Sequence, residues 1–157
     1  MFSPNQDRTS AELIRVCKSG GRIGLANWTP EGFIGQLFKT IGKYLPPPTG
    51  LKSPAAWGTR SWLQTTFPLG AFTLAAEIRY FNFRYRSPQH FLEIFRAYYG
   101  PLLKAFEALT EPDRKGLSCD IIDLIGRYNI SGDNTMVVPS EYLEVVLSKR
   151  KALQPGA

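Results

Sequence analysis

The residues of this chain that could carry out chemistry are few, and they exclude two common classes of enzyme. The chain has a single histidine, His90, and no Gly-x-Ser-x-Gly motif, so it lacks the parts of a Ser-His-Asp hydrolase. No cluster of cysteine, histidine and acidic residues has the spacing of metal ligands. His90 falls in the first turn of a predicted helix, where it is either a solvent or capping residue or a general base. Tyr98 and Tyr99 could line a pocket, although helical spacing places at least one of them in the core.

Two tryptophans and an asparagine are the best candidates for binding a ligand. Asn27 offers both a donor and an acceptor, and the neighbouring Trp28 offers a flat apolar surface. The pair is predicted to end a strand, and ligands of open α/β sheets bind beyond the carboxyl ends of the strands. We therefore predict that Asn27 and Trp28 contact a substrate; the alternative is a capping asparagine and a tryptophan packed under a loop. Trp57, in the Pro- and Gly-rich loop 49–58, is either a lid over the same site or a buried anchor of the loop.

The elements that must position these residues read as an α/β chain. The mostly apolar run at 22–28 is typical of a strand buried on both faces. The alternation along 72–86 slips by one residue near Tyr80-Phe81, which indicates a bulge, and Pro139 marks a bulge or bend in the last strand. Ser3 and Thr29 are predicted to cap the first two helices. The pattern predicts strands at 22–28, about 72–86 and about 135–148, and helices near 3–18, 29–45, 60–66, 87–99, 102–109 and 111–128.

Composition places the chain among globular proteins and limits its partners. Its 157 residues are 43% hydrophobic and 13% aromatic, which predicts a single domain at 1–151 with a frayed tail at 152–157. The net charge of +6 raises nucleic acid as a partner, but the basic residues are spread out and the run at 149–151 is typical of a solvated tail. No stretch is long and apolar enough to span a membrane, and no secretory signal is visible. With two isolated cysteines, the expected location is the cytoplasm.

The segment from Ala11 to Trp28, with Val16-Cys-Lys-Ser-Gly20-Gly21 at its centre, resembles class I S-adenosylmethionine-dependent methyltransferases. The likeness is strongest to those grouped with the quinone-biosynthesis methyltransferases. In that family an amphipathic helix ends in Leu-x-x-Gly-Gly before the fifth strand of the sheet; here Ser19 stands where the family often has proline. The match continues more loosely through 29–35 and Ser87-Pro88 to the closing strands, and so covers essentially the whole chain.

The resemblance implies the C-terminal half of a Rossmann-like sheet with strand order 3-2-1-4-5-7-6. Residues 22–28, 72–86 and 135–148 would be strands five, six and seven, with strand seven antiparallel and between the other two. The family's glycine-rich loop and ribose-binding acidic residue belong to earlier strands, and this sequence contains no Gly-x-Gly-x-Gly. We therefore expect a truncated chain that is inactive alone.

The resemblance also implies roles for particular residues. Phe2 and Ser3, at the end of strand four, would lie near the S-adenosylmethionine cofactor. Asn27, Trp28 and Trp57 would lie on the acceptor side of the pocket.

The function expected from these observations is methyl transfer to a small, aromatic or apolar acceptor. The alternative is a non-catalytic binding module for an apolar ligand or a partner chain, and a basic nucleic-acid binder is a weaker third. The uncharged edge of the strand at 22–28 would have no partner strand, so a homo-oligomer formed through this edge is also expected.

Overall fold

The computed structural model describes residues 1–151, and these residues form an α/β fold, as predicted. The tail predicted at 152–157 lies outside the described residues. No helix in the described part of the chain is long and apolar enough to cross a membrane. The elements, in chain order, are α1 (Gln6–Val16), β1 (Arg22–Trp28), α2 (Phe33–Tyr44), a 3₁₀ helix (Pro54–Gly58), α3 (Arg60–Thr66), β2 (Phe72–Tyr85), α4 (Pro88–Tyr98), α5 (Gly100–Ala108), α6 (Glu111–Tyr128) and β3 (Met136–Lys149).

The three strands form one sheet in the order β1-β3-β2. β1 and β3 pair antiparallel, with Arg22 opposite Ser148 and Trp28 opposite Tyr142. The last strand of the chain therefore lies between the two earlier ones, as predicted. β1 is at an edge of the sheet, again as predicted.

The prediction that β1 is buried on both faces is wrong. Ile23 and Asn27 are buried, whereas Arg22, Gly24 and Ala26 are exposed. Because successive side chains of a strand point to opposite faces, one face of β1 packs in a core. The other face carries the three exposed residues and the half-buried Trp28. The sequence of β1 resembled a continuous apolar run because its exposed face carries glycine and alanine, which are not polar enough to break the apolar pattern.

Two of the predicted helix caps are also wrong. Asn5, not Ser3, caps α1, and its side chain accepts a hydrogen bond of 2.8 Å from a backbone N–H in the first turn. Gly32, not Thr29, is the N-cap of α2. Thr59 caps α3, and its hydroxyl accepts a hydrogen bond from a first-turn N–H. Serine, threonine and asparagine are all good caps, so the sequence offered several acceptable starts within three residues of each other.

The described residues divide into two compact units, which are treated separately below. The first comprises Met1–Pro30, Gly50–Arg79 and, of the described residues, 142–151. At the end of its helix α1, the Lys149 ammonium group donates to the carbonyls of Ile14 and Cys17 at 2.9 and 2.8 Å. A cation there offsets the partial negative charge of the helix C-terminus. The core of this unit consists of Ile23, Trp57, Leu63, Phe67, Phe72, Leu143, Val145 and Leu147.

The second unit comprises Glu31–Thr49 and Tyr80–Glu141, and it contains α2, α4, α5 and α6. The high aromatic content of the chain is concentrated in its core, where Phe91 stacks on Phe95 with ring centroids 3.9 Å apart. Phe91 also meets Phe33 edge-on at 5.6 Å. The aliphatic part of this core includes Ile34, Leu37, Leu102, Leu117, Ile121, Leu124 and Ile125.

The burial of side chains along β2 changes phase, as the alternation in the sequence does, and a similar change occurs in β3. The bulge near Tyr80-Phe81 stays a prediction. In β2, inward-facing residues up to Ala76 are even-numbered and those from Phe83 onward are odd-numbered, while the strand itself is unbroken. In β3 the phase is kept across Pro139 and changes between Ser140 and Leu143. The change of phase thus comes a few residues after Pro139, where a bulge or bend was predicted. Each half of these long strands contributes side chains to the core of its own unit.

Candidate functional site

The carboxyl end of β1 lies against the 3₁₀ helix Pro54–Gly58, and Gly58 makes the contact possible. A Cβ atom at Gly58 would lie 2.7 Å from the carbonyl carbon of Trp28 and 2.9 Å from Cα of Thr29. Both neighbours are backbone atoms, which cannot rotate away. The absence of a side chain at Gly58 therefore brings the 3₁₀ helix onto the end of the strand.

Asn27 is buried at this end of β1, and its amide nitrogen has no hydrogen-bond partner. Only 5% of the residue is exposed, and Nδ2 is fully buried. The side chain is on the same face of the strand as Ile23 and Leu25, which contribute to the core of the first unit. Buried amide groups are almost always paired, so Nδ2 is an unused donor in a place that water reaches poorly.

Trp57 supplies a second buried donor without a partner. The residue is 2% exposed, and its indole Nε1 has no acceptor. Its ring packs against that of Trp62 with centroids 4.3 Å apart. Of the two predicted roles for Trp57, lid or anchor, the structure shows the buried anchor. The indole N–H group of this buried anchor belongs to the residue just before Gly58, which packs against the end of β1.

Gln6 adds an acceptor, and sequence reasoning missed it. Its Nε2 donates to the carbonyls of Lys52 and Ser53 at 3.3 and 3.0 Å, which ties α1 to the segment leading into the 3₁₀ helix. Its Oε1 is buried without a partner. The Gln6 side chain thus reaches a loop more than forty residues away along the chain. No local signal in the sequence marks this contact.

These three groups, which we call the amide–indole site, share one chemical character. Asn27 and Trp57 each offer a buried N–H donor, and Gln6 offers a buried carbonyl oxygen. A hydroxyl group can accept from one and donate to the other. None of the three side chains titrates near neutral pH, so these groups offer hydrogen-bond donors and an acceptor but no general base.

The structure does not bring Trp28 into the amide–indole site. Trp28 follows Asn27 in a regular strand, so it is on the opposite face of the sheet. Its ring meets that of Tyr142, its partner across the pair, edge-on at 6.0 Å. The Asn27 and Trp28 side chains are therefore on opposite faces of the sheet, and their joint contact with a substrate stays a prediction.

The two residues expected near a cofactor are at the surface of the first unit. Phe2 is 55% exposed. The Ser3 hydroxyl donates to the carbonyl of Asn5 and accepts from the hydroxyl of Thr9 at 2.7 Å. Ser3 also lines an open groove of about 370 Å³ along α1, together with Asn5, Arg8, Thr9, Glu12, Leu13 and Val16.

The remaining candidates are in the second unit. The ring of His90 meets that of Tyr85 at 5.6 Å, beside the aromatic core, and its backbone N–H donates to the capping Ser87 hydroxyl. Tyr98 is 81% exposed, whereas burial raises the pKa of the Tyr99 phenol. Neither tyrosine belongs to the amide–indole site. Within residues 1–151, no three His, Cys, Asp or Glu side chains are grouped so that they could hold a metal ion.

Comparison with known proteins finds similar chains of unknown function. The uncharacterized protein Rv1403c of Mycobacterium tuberculosis is 32% identical over 155 residues, which cover 91% of this chain and 52% of the relative. The uncharacterized protein Mb1438c of Mycobacterium bovis gives the same values. The uncharacterized protein Rv1405c of M. tuberculosis is 29% identical over 158 residues, covering 96% of this chain and 55% of the relative. The chain thus spans about half the length of the curated relatives it matches, and no protein-family model matches it.

Proposed function

We propose that this chain is the acceptor-binding part of an S-adenosylmethionine-dependent methyltransferase that acts on a small aromatic or apolar molecule bearing a hydroxyl group. The resemblance of the segment from Ala11 to Trp28 is one support. A second support is the strand order β1-β3-β2 with an antiparallel central strand, which equals the order 5-7-6 of that family. The longer relatives leave room for a cofactor-binding half outside the part they share with this chain.

The observation that carries the proposal is the set of three buried groups without partners in the amide–indole site. Asn27 is in β1, Trp57 is in the 3₁₀ helix that packs against the end of β1, and Gln6 bonds to the segment before that helix. Two buried donors and one buried acceptor without partners are costly, because each loses its hydration and gains no bond, at about 1–3 kcal/mol each. Such groups call for a partner, which is an ordered water, an ion or a ligand, and in this proposal the partner is the hydroxyl group of the acceptor. A hydroxyl oxygen held by Asn27 and Trp57 would be fixed in position, which is the main contribution a protein makes to a group transfer between aligned partners.

The residues of this chain do not themselves fit the cofactor. The Ser3 hydroxyl is already bonded to Thr9, Phe2 is exposed, and the sequence has no Gly-x-Gly-x-Gly loop. In the proposed enzyme the methyl donor is therefore held by residues outside this sequence. What these residues would do is bind the acceptor, exclude water from it and orient its hydroxyl group.

The same mismatch favours one alternative, a non-catalytic module that binds an apolar ligand or a partner chain. The two functions share the amide–indole site and differ in whether a bound hydroxyl compound becomes methylated.

The test joins this chain to the part of Rv1403c that it does not match and supplies labelled S-adenosylmethionine with a panel of small phenols. We expect methyl transfer to at least one phenol, and at least a tenfold loss of kcat/KM in Trp57→Phe, which keeps an aromatic ring and removes the N–H. Saturable phenol binding without transfer would favour the binding module. If no phenol binds, the site assignment is wrong.

Stability provides an independent check of the unpaired amide. Asn27→Leu removes a buried donor that bonds nothing, so we expect unfolding free energy to stay within about 1 kcal/mol of wild type or to rise. Asn129→Leu is the matched control, because Asn129 donates to the carbonyl of Thr135 and accepts from the N–H of Val137 at 2.9 and 2.7 Å. Its loss should cost about 2 kcal/mol or more. Equal losses in the two variants would mean that Asn27 is bonded within the protein.

A further inference from the structure

A cleft in the second unit concentrates positive charge. It has a volume of about 360 Å³ and is lined by Arg96, Glu111, Arg114, Lys115, Ser118 and Cys119. Three cationic side chains against one carboxylate leave a net charge of +2 in the lining (3 − 1 = 2). The volume falls at the small end of the range of ligand sites, roughly 300–1,000 Å³.

Contacts with an aromatic ring and a backbone carbonyl hold the two arginines of the cleft, and only Arg114 has a carboxylate partner, the long pair with Glu111. The Arg96 guanidinium lies over the ring of Phe106, 4.7 Å from its centroid, and in the described part of the chain no carboxylate is within ion-pair distance of it. Arg114 donates to the backbone carbonyl of Glu107 at 3.4 Å, and its Nε is buried with no acceptor. Guanidinium groups that are already held in position lose little conformational entropy when they bind an anion.

The one carboxylate in the lining is a weak competitor for these charges. Glu111 is 3.9 Å from both Arg114 and Lys115, which is the limit of an ion pair, and its side chain is 65% exposed. Exposed pairs of this kind contribute little free energy. The Ser118 hydroxyl is engaged with the carbonyl of Arg114 at 2.7 Å, so the donors that remain in the cleft are the cationic ones.

From these contacts we propose that the cleft binds the phosphate group of a small phosphorylated molecule. A phosphate monoester carries a charge close to −2 at neutral pH, which matches the net +2 of the lining. Guanidinium groups fit the geometry of phosphate oxygens through paired N–H donors. This site uses none of the residues of the amide–indole site, so it stands independently of the methyl-transfer proposal.

The test is a titration of the whole chain with glycerol 3-phosphate at fixed ionic strength, followed by NMR of backbone amides and arginine Nε–H groups. We expect saturable shifts at Arg96, Arg114 and Cys119 with a Kd of about 1 mM or tighter. Arg96→Gln should weaken binding at least about tenfold. Arg127→Gln, an exposed arginine near the other end of α6, should leave Kd within about twofold.

Cys119 gives a second readout because it is exposed in the lining, whereas Cys17 is partly buried elsewhere. Glycerol 3-phosphate should slow alkylation of Cys119 by uncharged iodoacetamide several-fold and leave Cys17 unchanged. Equal weakening by the two arginine variants, or shifts that do not saturate, would overturn the proposal. A short single-stranded oligonucleotide that shifts the same signals at lower concentration would overturn the assignment to a small molecule.

Discussion

The contact between Gly58 and the end of β1 predicts that Gly58→Ala is strongly destabilising. The new Cβ would meet the carbonyl carbon of Trp28 at 2.7 Å and Cα of Thr29 at 2.9 Å. Real Cβ atoms do not approach backbone atoms so closely, so the 3₁₀ helix or the strand end has to move. Gly58 does not have a positive φ, so the expected penalty comes from the collision alone and not from backbone strain.

The magnitude follows from two opposing effects. Forcing an extra methyl into a filled space costs about 1–3 kcal/mol, and occasionally more. Replacing glycine by alanine at an ordinary backbone position stabilises the folded state by about 0.4–1 kcal/mol, because it lowers the conformational entropy of the unfolded chain. Because the collision is with the main chain, we place the net loss at about 2–3 kcal/mol, or roughly 4–12 °C in Tm for a chain of this size.

The assay is thermal and urea unfolding of Gly58→Ala beside Gly24→Ala. Gly24 is in the same unit, on the exposed face of β1, and a Cβ there would meet nothing within 4 Å. Alanine is favoured over glycine in a strand interior by about 0.5–1 kcal/mol, so Gly24→Ala should be neutral or slightly stabilising. If the Tm of Gly58→Ala stays within about 2 °C of wild type, the close approach described here is not present in solution.

Three further predictions concern the packing and the sheet edge. Lys149→Met removes two hydrogen bonds to the end of α1 and should lower the unfolding free energy, measured in urea, by about 1–3 kcal/mol. In the control Lys18→Met, at an exposed position, the unfolding free energy should fall by less than about 0.5 kcal/mol. Phe91→Ala leaves a cavity in the aromatic core and should lower the unfolding free energy by about 3–5 kcal/mol. Phe2→Ala, at an exposed position, should change it little. Similar losses in the two variants would contradict the assigned core. Because β1 is an edge strand, the chain should elute as a dimer or larger species, and Ala26→Lys should shift it toward monomer; a wild-type monomer at all concentrations would show that the edge does not pair.

Local patterns predicted the elements of this fold well, because helices and strands are specified by nearby residues. The strand Arg22–Trp28 and the helix Arg60–Thr66 have the predicted bounds, since each is set by its own apolar pattern and flanking turn residues. The prediction was less accurate at helix starts, where several side chains within one turn can cap and the tertiary path of the chain decides among them.

The candidate site was only partly predictable. Asn27 and Trp57 were named from their residue types and positions, but the roles of Gln6 and Gly58 depend on contacts between distant segments. No local sequence pattern predicts the unpartnered Gln6 oxygen or the close backbone contact at Gly58. By contrast, the separation of Trp28 from Asn27 followed from the two-residue period of a strand and was available from the sequence alone.

The crowding at Gly58 also connects the stability of the first unit with the amide–indole site. Trp57 precedes Gly58, and Asn27 precedes the Trp28 carbonyl group on which Gly58 packs. A displacement that relieves a Cβ at Gly58 must therefore move one unpaired N–H donor relative to the other. A hydroxyl group that accepts from both would then lose one hydrogen bond even in molecules that remain folded. In Gly58→Ala we accordingly expect phenol affinity to fall by more than the folded fraction accounts for, whereas Gly24→Ala should change neither. A loss of affinity that tracks the folded fraction alone would mean that the two donors do not share a ligand.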